Sequence, residues 1–184
     1  PKGIYVELLN FIASKENWRI QYIYDDWVNL LSKLKNGEID ILTSIAYTDE
    51  RAKTLDFNNE SVISNWGVVV SNKNFQSIAE LSDKRIALMK KDIYAEKFLE
   101  ITKSFSVENF EIIWTNSYEE ILKLIDGNKV DAGVIARLAS IAYSEKYSFT
   151  ETPIVFGSIE LRFAFKKGAS INKLVIPTLD NHLK

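Results

Sequence analysis

Residues 27–57 read WVNLLSKLKNGEIDILTSIAYTDERAKTLDF, a stretch that lays out a helix, a buried strand and a polar turn in succession. Leu30, Leu31 and Leu34 share one face of a helix predicted over 27–35, and Gly37 supplies its stop. Residues 39–44 then make an apolar run of the right length for one buried strand. Thr48 is placed to cap a new helix, with Asp49 and Glu50 in its first turn and Arg51 directly behind them. Such a turn offers unpaired backbone N–H groups to an anion. Arg51 adds a planar fork of donors suited to a carboxylate, worth about 1.5–3 kcal/mol per charged hydrogen bond. The competing assignment is a surface arginine paired with Asp49 or Asp56.

The same rhythm extends in both directions. Upstream, Ile4, Leu8, Phe11 and Ile12 recur at helical spacing, and WRIQYIY (18–24) alternates as a strand does. Downstream, WGVVVS (66–71) reads as a strand. A second α/β run follows it: strand 84–89, helix 93–102, strand 110–114, helix 117–126, strand 130–135 and helix 136–145. PIVFG (153–157) and IELRFAFKKG (159–168) read as further strands, and a helix over 171–183 containing Pro177 closes the chain. LLSKLKNGEIDIL (30–42) echoes ILKLIDGNKVDAGV (121–134), with Gly37 set against Gly127, as two lobes of like construction would. Asp40 and Asp131 are expected to brace the helix-to-strand junctions of this echo. The predicted division is 1–68 for the first part of lobe 1, 69–156 for lobe 2, and 157–184 for a return to lobe 1.

Bulk properties narrow the function. In 184 residues, 46% are hydrophobic and 26% charged, enough for a real core with a soluble surface. A net charge of -2 gives no attraction to nucleic acid or to an anionic membrane. The absence of cysteine removes thiolate nucleophiles, thiolate metal sites and disulfides together, and suits an exported protein. The longest uncharged run, 61–72, is far short of the ~20 residues that span a bilayer. No metal-ligand spacing, GxGxxG, GxxxxGKS or GxSxG motif occurs. The single histidine, His182, falls in the last turn of the terminal helix and reads as an exposed helix-end cation.

W-x2-LL-x2-L-x2-GEIDIL followed by T-x-ER-x4-DF resembles the extracytoplasmic solute-binding proteins of family 3. NWGVVV (65–70), KVDAGVIAR (129–137), and TPIVF with ELRFAFKKG resemble the branch that serves as the extracytoplasmic sensor domain of histidine kinases. The resemblance implies an α/β, two-lobed type II periplasmic-binding fold with two crossover strands. It also implies that a strand before the first helix and a C-terminal extension lie outside this sequence. Arg51 then inherits the grip on a ligand carboxylate, and Trp27 the place of an aromatic that packs on the ligand. Ser44 and Ala46 line the same turn, with Ala46 where a hydroxyl usually stands. Trp66, Lys90 and Arg137 complete the implied ligand-binding set. MKKDIY (89–94) departs from the Gly-Thr/Ser turn of amino-acid binders, and Arg137 stands where they carry an Asp that accepts the ligand ammonium.

Converging cations at Arg51, Arg137 and Lys90 or Lys91 would repel an α-ammonium, so the expected ligand is a small anion such as a dicarboxylate. The competing placement for Arg137 is solvent, or a pair with Asp131 or Glu145. The leading expectation is a non-enzymatic sensor module on the periplasmic or extracellular side, without metal or cofactor and reaching the membrane only through other segments. A homodimer of the full receptor is admitted. The alternatives are a free binding protein of an ABC importer, and a dehydratase of cyclic carboxylates using Lys90, Lys91 or Glu160.

Overall fold

Seven α-helices, one short 3-10 helix and seven strands are distributed along residues 3–184, the part of the chain that the computed structural model describes. Contacts divide the chain into two units. One comprises residues 1–64 and 160–184, the other residues 65–159. Two strands, β3 (Ile63–Ser71) and β7 (Thr150–Lys166), run through these boundaries, so each unit is built on part of both. Residues 153–168 were expected to form two strands. They belong instead to one 17-residue strand in which Gly157 takes φ 60, a left-handed kink that glycine tolerates without strain.

In the first unit, α1 (Ile4–Glu16) ends at Asn17, whose φ of 55 turns the chain through a left-handed cap. The carboxylate of Asp26 accepts from the Asn29 amide at 2.9 Å and so starts α2 (Trp27–Asn36). Gly37, at φ 81, stops it: its amide donates to Leu34 O at 3.1 Å, and the Glu38 amide to Lys33 O at 2.9 Å. The leucine face then buries Leu31 and Leu34 against Leu42, Ile45 and Leu55. β1 (Ile41–Ala46) and β2 (Leu55–Phe57) each pair antiparallel with the second half of β7 and flank it. On the opposite face, Phe163 and Phe165 pack with Leu9 and Ile12 of α1 and with Val175 and Leu179 of α7 (Asn172–Leu183). Pro177 sits inside α7 without ending it.

The strand expected over 18–24 does not form. Trp18, Ile20 and Tyr22 are half-buried and alternate with exposed Arg19, Gln21 and Ile23, so the pleat is present. A strand also needs a hydrogen-bonded neighbour, and among the described residues none lies alongside.

In the second unit the strands run β3-β6-β4-β5. β4 (Arg85–Met89) is parallel to both β5 (Glu111–Thr115) and β6 (Ala132–Ala136), and β3 is antiparallel to β6. The helices are α4 (Ile93–Ser104), α5 (Tyr118–Asp126) and α6 (Arg137–Tyr143). Gly133 lets α5 approach closely, since a Cβ there would come 2.3 Å from Ile121 Cγ2. The stop after α5 corrects the sequence echo. Asn128, not Gly127, takes the left-handed φ of 53, its amide donating to Ile125 O at 3.0 Å and the Lys129 amide to Leu124 O at 2.8 Å. Gly37 therefore corresponds to Asn128.

Candidate functional site

The first unit gathers four of the predicted residues at the carboxyl end of β1. Its pairing with β7 is interrupted between Leu42 and Ile45, and Ser44 within that bulge has φ 57. A non-glycine residue there stores about 1 kcal/mol or more of strain, and a bulge of this kind re-aims the end of a strand. Past it, the Thr48 hydroxyl accepts from the Arg51 amide at 3.1 Å and opens α3 (Asp49–Ala52), the cap that the sequence announces. The half-buried Arg51 side chain folds back, so that Nη1 donates to Ala46 O at 3.1 Å. Its guanidinium carbon lies 5.7 Å from the Trp27 ring centroid, within cation–π range. Ala46 itself is buried, so it contributes its carbonyl rather than its methyl group.

Charge braces the start of α2, the helix whose first residue is Trp27. Asp25 accepts from Lys33 Nζ at 2.5 Å, from Asn29 Nδ2 and from the Asp26 amide. These bonds, the lysine's above all, pull its carboxyl down to about 2. The surface pairing weighed for Arg51 loses one candidate partner. Asp56 is engaged by Lys167 at 3.0 Å, by the Gly168 amide and by Asn172. Glu160 pairs with Arg162 at 3.1 Å, and that guanidinium lies 4.7 Å from the Tyr47 ring centroid.

The second unit carries the other three predicted residues at one edge of its sheet. Lys90 directly follows β4, its amide donating to Thr115 O at 3.0 Å, and Arg137 directly follows β6. Since Ile86 pairs with Ala132 and Ala87 with Gly133, the parallel register brings these two strand ends level. Trp66, 41% exposed, lies next to Gly67, which pairs with Ala136. Arg137 faces neither Asp131 nor Glu145. Its Nε lies 3.5 Å from Glu151 Oε2, and Glu151 also accepts from the Ser140 hydroxyl. The acid that offsets its charge stands fourteen positions along the chain, on β7.

Several residues that sequence reasoning missed organise this edge. Buried Asn65 accepts through Oδ1 from the Trp66 amide at 2.9 Å and the Leu138 amide at 3.3 Å, so it orients both Trp66 and the first turn of α6. Asp92, 4% exposed at the head of α4, accepts from the Tyr118 hydroxyl at 3.1 Å. Burial, followed by the negative charge of Asp92, pushes that phenol well above its ordinary range. A polar residue before an apolar helix was the only available signal for Asp92. Asp131 braces its junction as expected. Burial opposes its ionisation, but bonds from Lys73 Nζ at 2.6 Å and from the Arg85 amide at 2.8 Å prevail and hold it far below the ordinary carboxylate range. Asp40, by contrast, is exposed. His182 is less exposed than expected and meets Glu16 at 2.7 Å. Among the described residues, no group of His, Cys, Asp or Glu could hold a metal ion.

In the first unit a strand end and a helix start meet beside Arg51, on an α/β frame threaded by two through-running strands. The chain belongs to the bacterial extracellular solute-binding proteins, family 3, whose family model matches residues 1–173. It is 26% identical over 144 residues to the "Arginine-binding extracellular protein ArtP" of Bacillus subtilis (strain 168), covering 77% of this chain and 55% of that one. The chain thus spans little more than half the length of this relative. Solved structures share the two-lobed periplasmic-binding fold. An ancestral arginine-binding protein bound to glutamine matches at TM-score 0.82 and 18% identity, covering 97% of this chain and 78% of its own. A histidine kinase sensor domain with similarity to periplasmic binding proteins matches at 0.77 and 18%, covering 97% and 77%. No helix among the described residues is long and apolar enough to cross a membrane.

Proposed function

We propose that this chain is the extracytoplasmic ligand-binding module of a membrane signalling protein of the histidine-kinase type, and that Arg51 grips the carboxylate of a small solute. The observation that carries this reading is the Arg51 guanidinium, anchored to Ala46 O at 3.1 Å and set against Trp27 at the end of β1. An arginine held by its own backbone and an aromatic ring is pre-organised, so a bidentate contact costs little further side-chain entropy. Ser44, Trp66, Lys90 and Arg137 are the further ligand contacts of the proposal.

A small anion without an amino group was expected because cations would converge. Glu151 weakens that ground by offsetting the charge of Arg137. The solute class of this reading is therefore amino acids and related carboxylates, in keeping with the arginine-binding relative and the glutamine-bound ancestral protein. Calorimetry with a panel of amino acids and dicarboxylates tests it. Micromolar binding of a carboxylate solute that Arg51→Ala abolishes supports the reading, whereas binding indifferent to Arg51 defeats it.

A second reading, a free binding protein of an importer, is favoured by the relative named as an extracellular binding protein. The complete gene discriminates. A membrane helix and kinase region after Lys184 support sensing, and a stop codon there supports transport. In the sensing case, output is bounded by the difference in ligand affinity between two conformations. A dehydratase finds no support: the relatives are named as binding proteins, and Glu160 is engaged with Arg162.

A further inference from the structure

Three strand-to-helix turns of the second unit open at the same end of its sheet. β4 leads into α4, β5 into α5 and β6 into α6, and β4 is parallel to both β5 and β6. The chain passes from β4 to β5 on one side and then crosses back to β6 on the other. Open α/β sheets take small ligands outside the strand ends where the order reverses in this way. Lys90 and Arg137 stand at the two ends concerned, so their separation depends on how firmly the turns are joined.

The ends of β4 and β5 are tied directly. The Lys90 amide donates to Thr115 O at 3.0 Å, and the Thr115 hydroxyl donates to Leu88 O at 3.3 Å. The turn after β6 is reached through Tyr118, the first residue of α5, whose ring is half-buried. Its hydroxyl donates to Asp92 Oδ2 at 3.1 Å, in the turn after β4, and the backbone of Ala136, at the end of β6, approaches the same oxygen. One phenol therefore bears on all three turns. Asp92 is turned towards this contact at the expense of its own helix. It occupies the position before α4 where an aspartate ordinarily accepts from first-turn amides, yet its side chain makes no such cap bond. Ser117, in the equivalent position before α5, caps in the ordinary way, accepting from the Glu120 amide at 3.2 Å. Departures from a local rule of this kind concentrate at functional sites.

We propose that Tyr118 is a positioning residue for ligand binding: its hydroxyl clamps the turns after β4 and β6 and so fixes the separation of Lys90 and Arg137. This rests on the reading that those two residues meet the ligand. With the clamp closed, both cations are held at a set distance and binding need not order them. With it open, each turn moves on its own strand end.

Hydrogen exchange followed by mass spectrometry on the 184-residue protein tests the clamp without ligand. Loss of the hydroxyl in Tyr118→Phe is expected to speed exchange about tenfold or more in 89–96 and 136–140, and to leave 68–70, within β3, unchanged. Calorimetry with glutamine and with glutarate is expected to show about tenfold weaker binding of whichever solute the unaltered protein takes. Asp92→Asn keeps an acceptor for the hydroxyl, so its exchange is expected to stay within about twofold of the parent. Unchanged exchange in Tyr118→Phe, or equal acceleration in 68–70 and in the turns, overturns the proposal, and so does local acceleration with affinity intact. Acceleration in Asp92→Asn equal to that in Tyr118→Phe overturns it as well, by assigning the effect to the carboxylate charge. Arg51→Ala in the same calorimetry reports on the first unit separately. A protein that takes neither solute fails the ligand reading, and exchange alone then judges the clamp.

Discussion

Arg51 donates from Nη1 to the carbonyl oxygen of Ala46, five residues before it, across 3.1 Å. This bond folds the side chain back over the end of its own strand and fixes where its charge is presented. Lysine reaches a similar distance but offers one point charge and no planar fork. Arg51→Lys and Arg51→Ala are therefore expected to weaken carboxylate binding by about tenfold or more, at the ~1.5–3 kcal/mol of a charged hydrogen bond. The half-buried site should cost the fold no more than about 1 kcal/mol. Calorimetry and thermal melts on the same samples check both halves, and equal loss of fold and binding would contradict the assignment.

Ser44 holds a left-handed φ of 57 inside the β1 bulge. Glycine adopts that geometry without the Cβ clash, so Ser44→Gly is expected to stabilise the protein by about 0.5–1 kcal/mol and raise its Tm. The variant also deletes the hydroxyl proposed to face ligand. A higher Tm together with weaker ligand binding is the expected pair of results, and a lower Tm would mean that the bulge conformation is not the one adopted.

Gly133 lies under α5, with Ile121 Cγ2 only 2.3 Å from the position of an added Cβ. Gly133→Ala is expected to destabilise by about 1–3 kcal/mol through overpacking. Chemical denaturation measures this, and combining it with Ile121→Ala, which removes the clashing methyl group, should cost less than the sum of the two single changes. Strict additivity of the two changes would argue against the contact.

Asp131 joins Lys73, Arg85 and the start of β4 through one carboxylate. Its depressed pKa fixes the sign: stability from this group is fully present above the ordinary carboxylate range and is lost as pH falls through the depressed value. Asp131→Asn should cost about 1–3 kcal/mol at neutral pH and flatten the acid limb of a stability–pH curve. Denaturation midpoints between pH 2 and pH 7 provide the check, and a variant curve parallel to the wild type would refute the role.

Elements whose cause is local were legible in the sequence, and those whose cause is distant were not. The Thr48 cap, the Gly37 stop and the leucine face of α2 each depend on residues within one or two turns, and all three stand as read. Residues 18–24 show the limit, since alternation predicts a pleat but cannot supply the neighbour that makes it a strand. Arg137 shows another, because its partner is set by α6 and β7 lying together, and no spacing rule selects Glu151 over Glu145. The β-strand continuing through Gly157 was cut in two because glycine reads as punctuation, whereas here it bends a strand without ending it. Asn65 opens the NWGVVV run, but nothing in the sequence marks its side chain as the acceptor for two backbone amides.

Near the far end of the chain, Asp180 accepts bonds from Asn58 Nδ2 and from the amides of Asn59 and Glu60 at 2.8–3.1 Å, rivetting the last helix to the three residues just ahead of β3. Force applied to that helix is thus delivered to the root of a strand and does not dissipate in a slack tail. Mechanically, the closing helix is a handle bolted to the frame, and unscrewing it means extracting a buried carboxylate from a ring of donors.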